Sequence, residues 1–153
     1  MTNLEQKARI LNQYIDTLVE QFMVLHCHCL EKYGDLSLQE LKVIDFLGKT
    51  GPSIMRKIAD HLMLAVSTVT GIVDKMVQKE YVVRERTDED RRIVKVTLTG
   101  KGQEIFDMNM DTHMEFSHGM LQGLNEDEQE ILLVLLRKVD RNLQSKQTAN
   151  IES

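Results

Sequence analysis

A mainly α-helical protein carrying one small β-wing is what three features of this 153-residue sequence predict. Leu4, Ala8, Leu11, Ile15, Leu18, Phe22, Leu25 and Cys29 recur at alternating spacings of four and three, a heptad seam on one long helix. Ser37 with Glu40 and Asn125 with Glu128 are capping-box signatures that open two further helices. Residues 81–86 and 93–98 read as two strands around a charged tip, Thr87-Asp88-Glu89-Asp90-Arg91-Arg92.

The elements follow in order. Tyr33-Gly34-Asp35 ends the seam helix, whose apolar stripe needs a second helix, from this chain or a partner, to cover it. The helix opened by Ser37 carries Leu38, Leu41, Ile44, Phe46 and Leu47, and Gly48-Lys49-Thr50-Gly51-Pro52 stops it. A short amphipathic helix with Ile54, Ile58, Ala59 and Leu62 comes next. A segment over 65–77 then keeps a helical period through Val66, Val69, Ile72 or Val73, and Met76, despite its β-branched residues. After the two strands, Ile105, Phe106, Met110, Met114, Leu121 and Leu124 stripe another helix. Ile131, Leu132, Leu135, Leu136, Val139 and Leu143 stripe the last, and residues 144–153 are expected to fray.

Composition narrows the function classes. The length fits one domain, with 1–33 and 103–145 as dimerisation helices and 37–101 as the working region. No apolar run approaches the ~20 residues of a membrane span, and the N-terminus lacks the profile of a signal peptide. Cys27 and Cys29 are too few and too close for a disulfide framework, so a reducing cytoplasm is expected. The net charge of −5 hides an asymmetry. Residues 52–102 hold ten Lys/Arg against seven Asp/Glu, an excess of three bases, while the rest of the chain nets −8. A basic middle between acidic ends localises binding to polyanions. There is no Gly-rich phosphate loop, no H-E-x-x-H and no nucleophile elbow, and no enzyme is expected.

Three helices, a strand, a charged tip and a strand, with long helices at both ends, make a winged helix-turn-helix. Such a domain presents one helix to the major groove and places wing cations at the flanking backbone or minor groove. The stretch Asp88-Glu89-Asp90-Arg91-Arg92 followed by Ile93-Val94-Lys95-Val96-Thr97-Leu98-Thr99-Gly100-Lys101-Gly102 resembles the MarR family of bacterial transcriptional regulators, with its D-x-R wing tip and T-x-K-G helix start. Ser67-Thr68-Val69-Thr70 and Val73-Asp74-Lys75 are similar to the family's recognition helix. The stretch 38–49 and Leu62-Met63 look most like the subgroup that represses fatty-acid synthesis genes. The resemblance implies a homodimeric repressor of operator DNA, without a cofactor, answering to a small-molecule effector wedged between the dimer helices and the DNA-binding lobes. Candidate DNA contacts are Ser67, Thr68, Thr70 and Lys75 on the helix, Arg84 and Arg86 on one strand face, and Asp90, Arg91, Arg92 and Lys95 at the wing. Two departures stand out. Ala65 has no side-chain oxygen to cap the recognition helix, and Gly71 stands where many relatives carry Arg or Lys.

The tract His26-Cys27-His28-Cys29 suggests the alternative of a metal- or thiol-sensing regulator, or a small metal-dependent protein. Residues i and i+2 diverge by about 200° on a helix, so four in a row cannot close on one ion. His26 and Cys29 with His113 and His118 are the candidate ligands; the plainer expectation is a core cysteine and surface histidines, with no metal.

Overall fold

Two N-terminal signatures set the frame. Thr2 and Glu5, a capping box that the sequence reading passed over, open α1 (Asn3–Lys32), and Ser37 and Glu40 open α2 (Leu38–Thr50). In each, the hydroxyl accepts from the Glu backbone N–H and the carboxylate accepts from the cap N–H. The computed structural model describes residues 2–151; the side chains of Cys29 and of residues 147–151 lie outside that description. The chain continues through β1 (Ser53–Ile54), α3 (Met55–Leu62), α4 (Val66–Gln78), β2 (Val82–Arg86), β3 (Val94–Leu98), α5 (Gly100–Gln122) and α6 (Glu126–Ile151). Contacts divide it into two compact units, Met1–Met114 and Glu115–Ser153.

In the first unit the core is Leu36, Leu41, Val43, Ile44, Leu47, Ile58, Ala59, Val69, Val73, Met76, Tyr81, Val82, Val96 and Ile105. Four positions ahead of β2 differ from the expected stripes. Val43 is fully buried while Leu38 is exposed, because the buried face of α2 centres on 40, 43, 44 and 47. Val66 is exposed at the first turn of α4, and Val73 rather than Ile72 is the fully buried residue. Ile54, expected at the start of a helix, belongs instead to a third strand. Gly51 turns at φ 80, and the extended Ser53 and Ile54 pair with Val96 and Lys95. The antiparallel sheet is ordered β1-β3-β2, so β3 is its middle strand.

The T-x-K-G start of α5 has a physical account. Thr99 Oγ1 accepts from Gly102 N at 3.1 Å and donates to the carbonyl of Glu80. Lys101 Nζ donates to Lys79 O at 2.9 Å and lies 4.4 Å over the Tyr81 ring. A Cβ on Gly102 would run into the Tyr81 carbonyl, so this close approach requires glycine. On the other side of Tyr81, its hydroxyl donates to Asp35 Oδ1 at 2.7 Å, and burial with that bond holds the phenol well above its usual range. Lys79 bridges the buried Glu40 at 2.8 Å and the Asp35 carbonyl, so the capping residue of α2 also anchors the end of α4.

In the second unit, Asn125 and Glu128 form the expected capping box, both bonds at 3.0 Å. Helix α6 runs on to Ile151, so the stretch expected to fray is helical to that point; residues 152 and 153 lie outside the described residues. Two long surfaces keep apolar side chains in solvent. On α1 these include Leu4, Leu11, Ile15 and Leu18 of the seam; on α6, Ile131, Leu135, Leu136, Val139 and Leu143. No helix among the described residues is long and apolar enough to cross a membrane.

Candidate nucleic-acid interface

Helix α4 follows α3 after Met63, which takes the left-handed conformation at φ 54, and Leu64-Ala65. Its buried residues Val69, Val73 and Met76 fix the opposite face outward. Ser67, Thr68, Gly71, Asp74 and Lys75 are exposed there. Thr70 lies at the edge of that face, half-buried, and its hydroxyl donates to Val66 O at 2.8 Å. Ala65 makes no side-chain cap bond, as its methyl dictates. An added Cβ on Gly71 meets nothing within 4 Å, so no neighbour demands glycine at the centre of the exposed face.

The wing tip is tightly wired. Asp90 Oδ1 accepts from Arg92 N at 3.0 Å and Nε at 3.1 Å, and Oδ2 accepts from Nη2 at 3.0 Å. Thr87 Oγ1 accepts from Asp90 N and donates to Asp90 O, closing the turn beneath. The bonds from the Arg92 side chain, then its backbone, hold the Asp90 carboxyl below its ordinary range. Arg92 itself is 91% exposed and keeps Nη1 unspent by the fork, an oriented cation at the end of a hairpin. Arg91 and Arg86 are exposed. Arg84 is not a free strand cation: its Nη2 donates to Asp74 Oδ1 at 2.6 Å, tying β2 to α4. Lys95 is half-buried on the middle strand opposite Glu85, one pair in from Arg86 and Val94 at the wing end.

The histidines divide. His26 on α1 and His113 on α5 come together, Nε2 to Nε2 at 3.4 Å, with the Phe22 ring 4.4 and 5.0 Å from the two imidazoles. Desolvation, then His26, lowers the His113 pKa; Lys49 adds to this and Asp45 opposes it. His28 is exposed beside Glu31, His118 is exposed, and the Cys29 side chain lies outside the described residues. Among the described residues no three His, Cys, Asp or Glu converge as metal ligands. The pair instead lines a cavity of about 450 Å³. Its wall is built by Phe22 and Met23 of α1, Leu38, Leu41, Lys42 and Asp45 of α2, His61 to Met63 at the end of α3, and Asn109 of α5. The sequence reading missed Asp45, His61 and Asn109. Asn109 is a polar residue on the Ile105–His113 stripe, a visible anomaly; Asp45 and His61 carried no such signal.

The comparisons with known proteins agree with this layout. Residues 36–94 match the model of the MarR family. The chain is 31% identical over 138 residues to YkoM of Bacillus subtilis, an HTH-type transcriptional regulator, covering 89% of each chain. It is 30% identical over 142 residues to the HTH-type transcriptional regulator MhqR of the same organism, covering 93% of this chain and 95% of that one. The structure of Streptococcus pneumoniae FabT in complex with DNA superposes with a TM-score of 0.75 at 25% identity, over 90% of this chain and 98% of that one. That likeness supports the family more firmly than the fatty-acid-synthesis subgroup.

Proposed function

Since the chain belongs to the MarR family of helix-turn-helix transcriptional regulators, we propose that it binds operator DNA in the cytoplasm as a homodimeric repressor whose grip a small molecule adjusts. The observation that carries the DNA reading is the Asp90–Arg92 fork, which holds an exposed guanidinium at the wing tip. An oriented cation there gains from the concentrated negative potential of a narrow minor groove. Ser67, Thr68 and Lys75 on α4 are the candidate contacts to bases and phosphates, and Arg86 and Arg91 to the backbone. Thr70, Arg84 and Lys95 have smaller parts, because their polar groups are bonded or set back.

One recognition helix reads too little sequence for an operator, and two copies place helices in successive major grooves roughly 34–36 Å apart. The exposed apolar stripes of α1 and α6 support pairing, since contiguous apolar surface of that extent marks an interaction site. The cavity supports the effector: it is concave, mostly apolar and borders Met63, the residue that turns α3 into α4. An occupant alters DNA affinity by as much as it prefers one arrangement of that turn.

The test is selection of bound fragments from genomic DNA, followed by anisotropy titration of the recovered site. The expected result is a specific site whose affinity falls steeply with salt, as phosphate contacts require. A protein that enriches no fragment and shows no salt dependence does not act through DNA.

A further inference from the structure

Of the ten Lys/Arg in residues 52–102, four are bonded within the chain. Lys79 holds Glu40, Arg84 holds Asp74, Arg92 holds Asp90, and Lys101 donates to the Lys79 carbonyl. Lys75, Arg86, Arg91 and Lys95 are candidate DNA contacts already. Arg56 and Lys57 remain. Both are exposed in the first turn of α3. Among the described residues neither makes a side-chain hydrogen bond or ion pair, not even with Asp60 one turn on. The fold alone gives no reason for two cations there. The first turn carries the positive end of the helix dipole, and no acid in that turn of α3 offsets them. A local conflict without compensation inside the molecule points to a partner of opposite charge outside it.

Strand register places the pair. β1 joins β3 through Ser53–Val96 and then Ile54–Lys95, and β2 joins the same strand as far as Arg86–Val94. Strand β1 therefore runs toward the Arg86–Val94 end, where the loop carrying the Asp90–Arg92 fork leaves the sheet. Met55 opens α3 at that end. Arg56 and Lys57 thus stand at the wing end on the β1 edge, and Arg86 ends the opposite edge strand, β2. A minor groove is walled by two phosphate backbones, so a duplex that receives Arg92 offers phosphates to both edges. We propose that Arg56 and Lys57 bind the operator backbone on the β1 side of the wing, opposite Arg86, as sequence-independent phosphate contacts. This rests on the DNA reading above.

The test compares the full-length wild type with the double variant Arg56→Gln, Lys57→Gln on the recovered operator. Anisotropy is followed between about 50 and 200 mM salt. Arg137→Gln with Lys138→Gln removes the same two residue types from the exposed surface of α6 and is the matched control. Each lost phosphate contact lowers the slope of log affinity against log salt by about 0.9. The α3 variant should therefore lose about 1.8 per bound chain, and bind at least about tenfold more weakly at physiological salt. Unrelated duplex should weaken by the same factor, since phosphates carry no sequence. Arg56→Lys with Lys57→Arg, which keeps both charges, should restore the slope. A wild-type slope in the α3 variant, an equal fall in the α6 variant, or a loss confined to the operator overturns the proposal. If the wild type shows no salt-dependent DNA binding, the DNA reading falls and this contact with it. If the wild type binds and the α3 variant keeps its slope, this contact alone falls.

Discussion

Arg92 and His113 are the residues where small changes tell most. If Arg92 anchors the wing in the minor groove, Arg92→Ala should weaken operator binding about 5- to 150-fold, the cost of losing one such contact, with melting unchanged. Asp90→Ala should lose less, since it removes only the brace that Oδ1 and Oδ2 supply. Wild-type affinity in Arg92→Ala at roughly physiological salt (150 mM) would make the wing a solvated hairpin. His113 makes stability depend on pH with a definite sign. Its folded pKa lies below the ordinary histidine value of 6.5, so on acidification the unfolded chain takes up the proton first. The stabilisation is whole above pH 6.5 and is lost as pH falls below it. Urea midpoints should therefore drop between pH 7.5 and 5.5 more in the wild type than in His113→Gln; equal drops would mean that the imidazole is not desolvated. The D-x-R spacing made the fork legible in the sequence, because a two-residue step on a tight turn places a carboxylate beside a guanidinium. The His26–His113 pairing was not legible, since 86 intervening residues stand between two helices whose packing no local pattern encodes.

Among the elements, α4 is the least optimised. Its N-cap is Ala65, without a side-chain bond, and Gly71 sits mid-helix with open space around it. Gly71→Ala should raise stability by about 0.5–1 kcal/mol through helix propensity, and Ala65→Ser by about 1 kcal/mol through the cap. Chemical denaturation reads both; a loss of stability in Gly71→Ala would show that this backbone needs glycine after all. The capping boxes of α2 and α6 and both wing strands were readable because each is a local pattern with a local cause. Strand β1 was not: two residues carry no periodicity, and pairing with Val96 and Lys95 is what makes them a strand. Glu40 was readable as a cap, but its bond to Lys79 is a tertiary fact.

For the whole molecule, the heptad seam is the decisive feature. Leu11 is 59% and Leu18 39% exposed, and in the proposed dimer they are surface that a partner covers. Leu11→Glu with Leu18→Glu would place unpaired charge in that interface, and the double variant should run as a folded or partly folded monomer by light scattering. A variant that stays dimeric and helical would remove the seam from the interface. In the proposed function two copies act together on one operator. Light scattering of the wild-type protein bound to its selected operator measures this directly. Two chains are expected on one duplex, with half-sites about one helical turn, or a multiple of it, apart. A stable complex holding a single chain would contradict it.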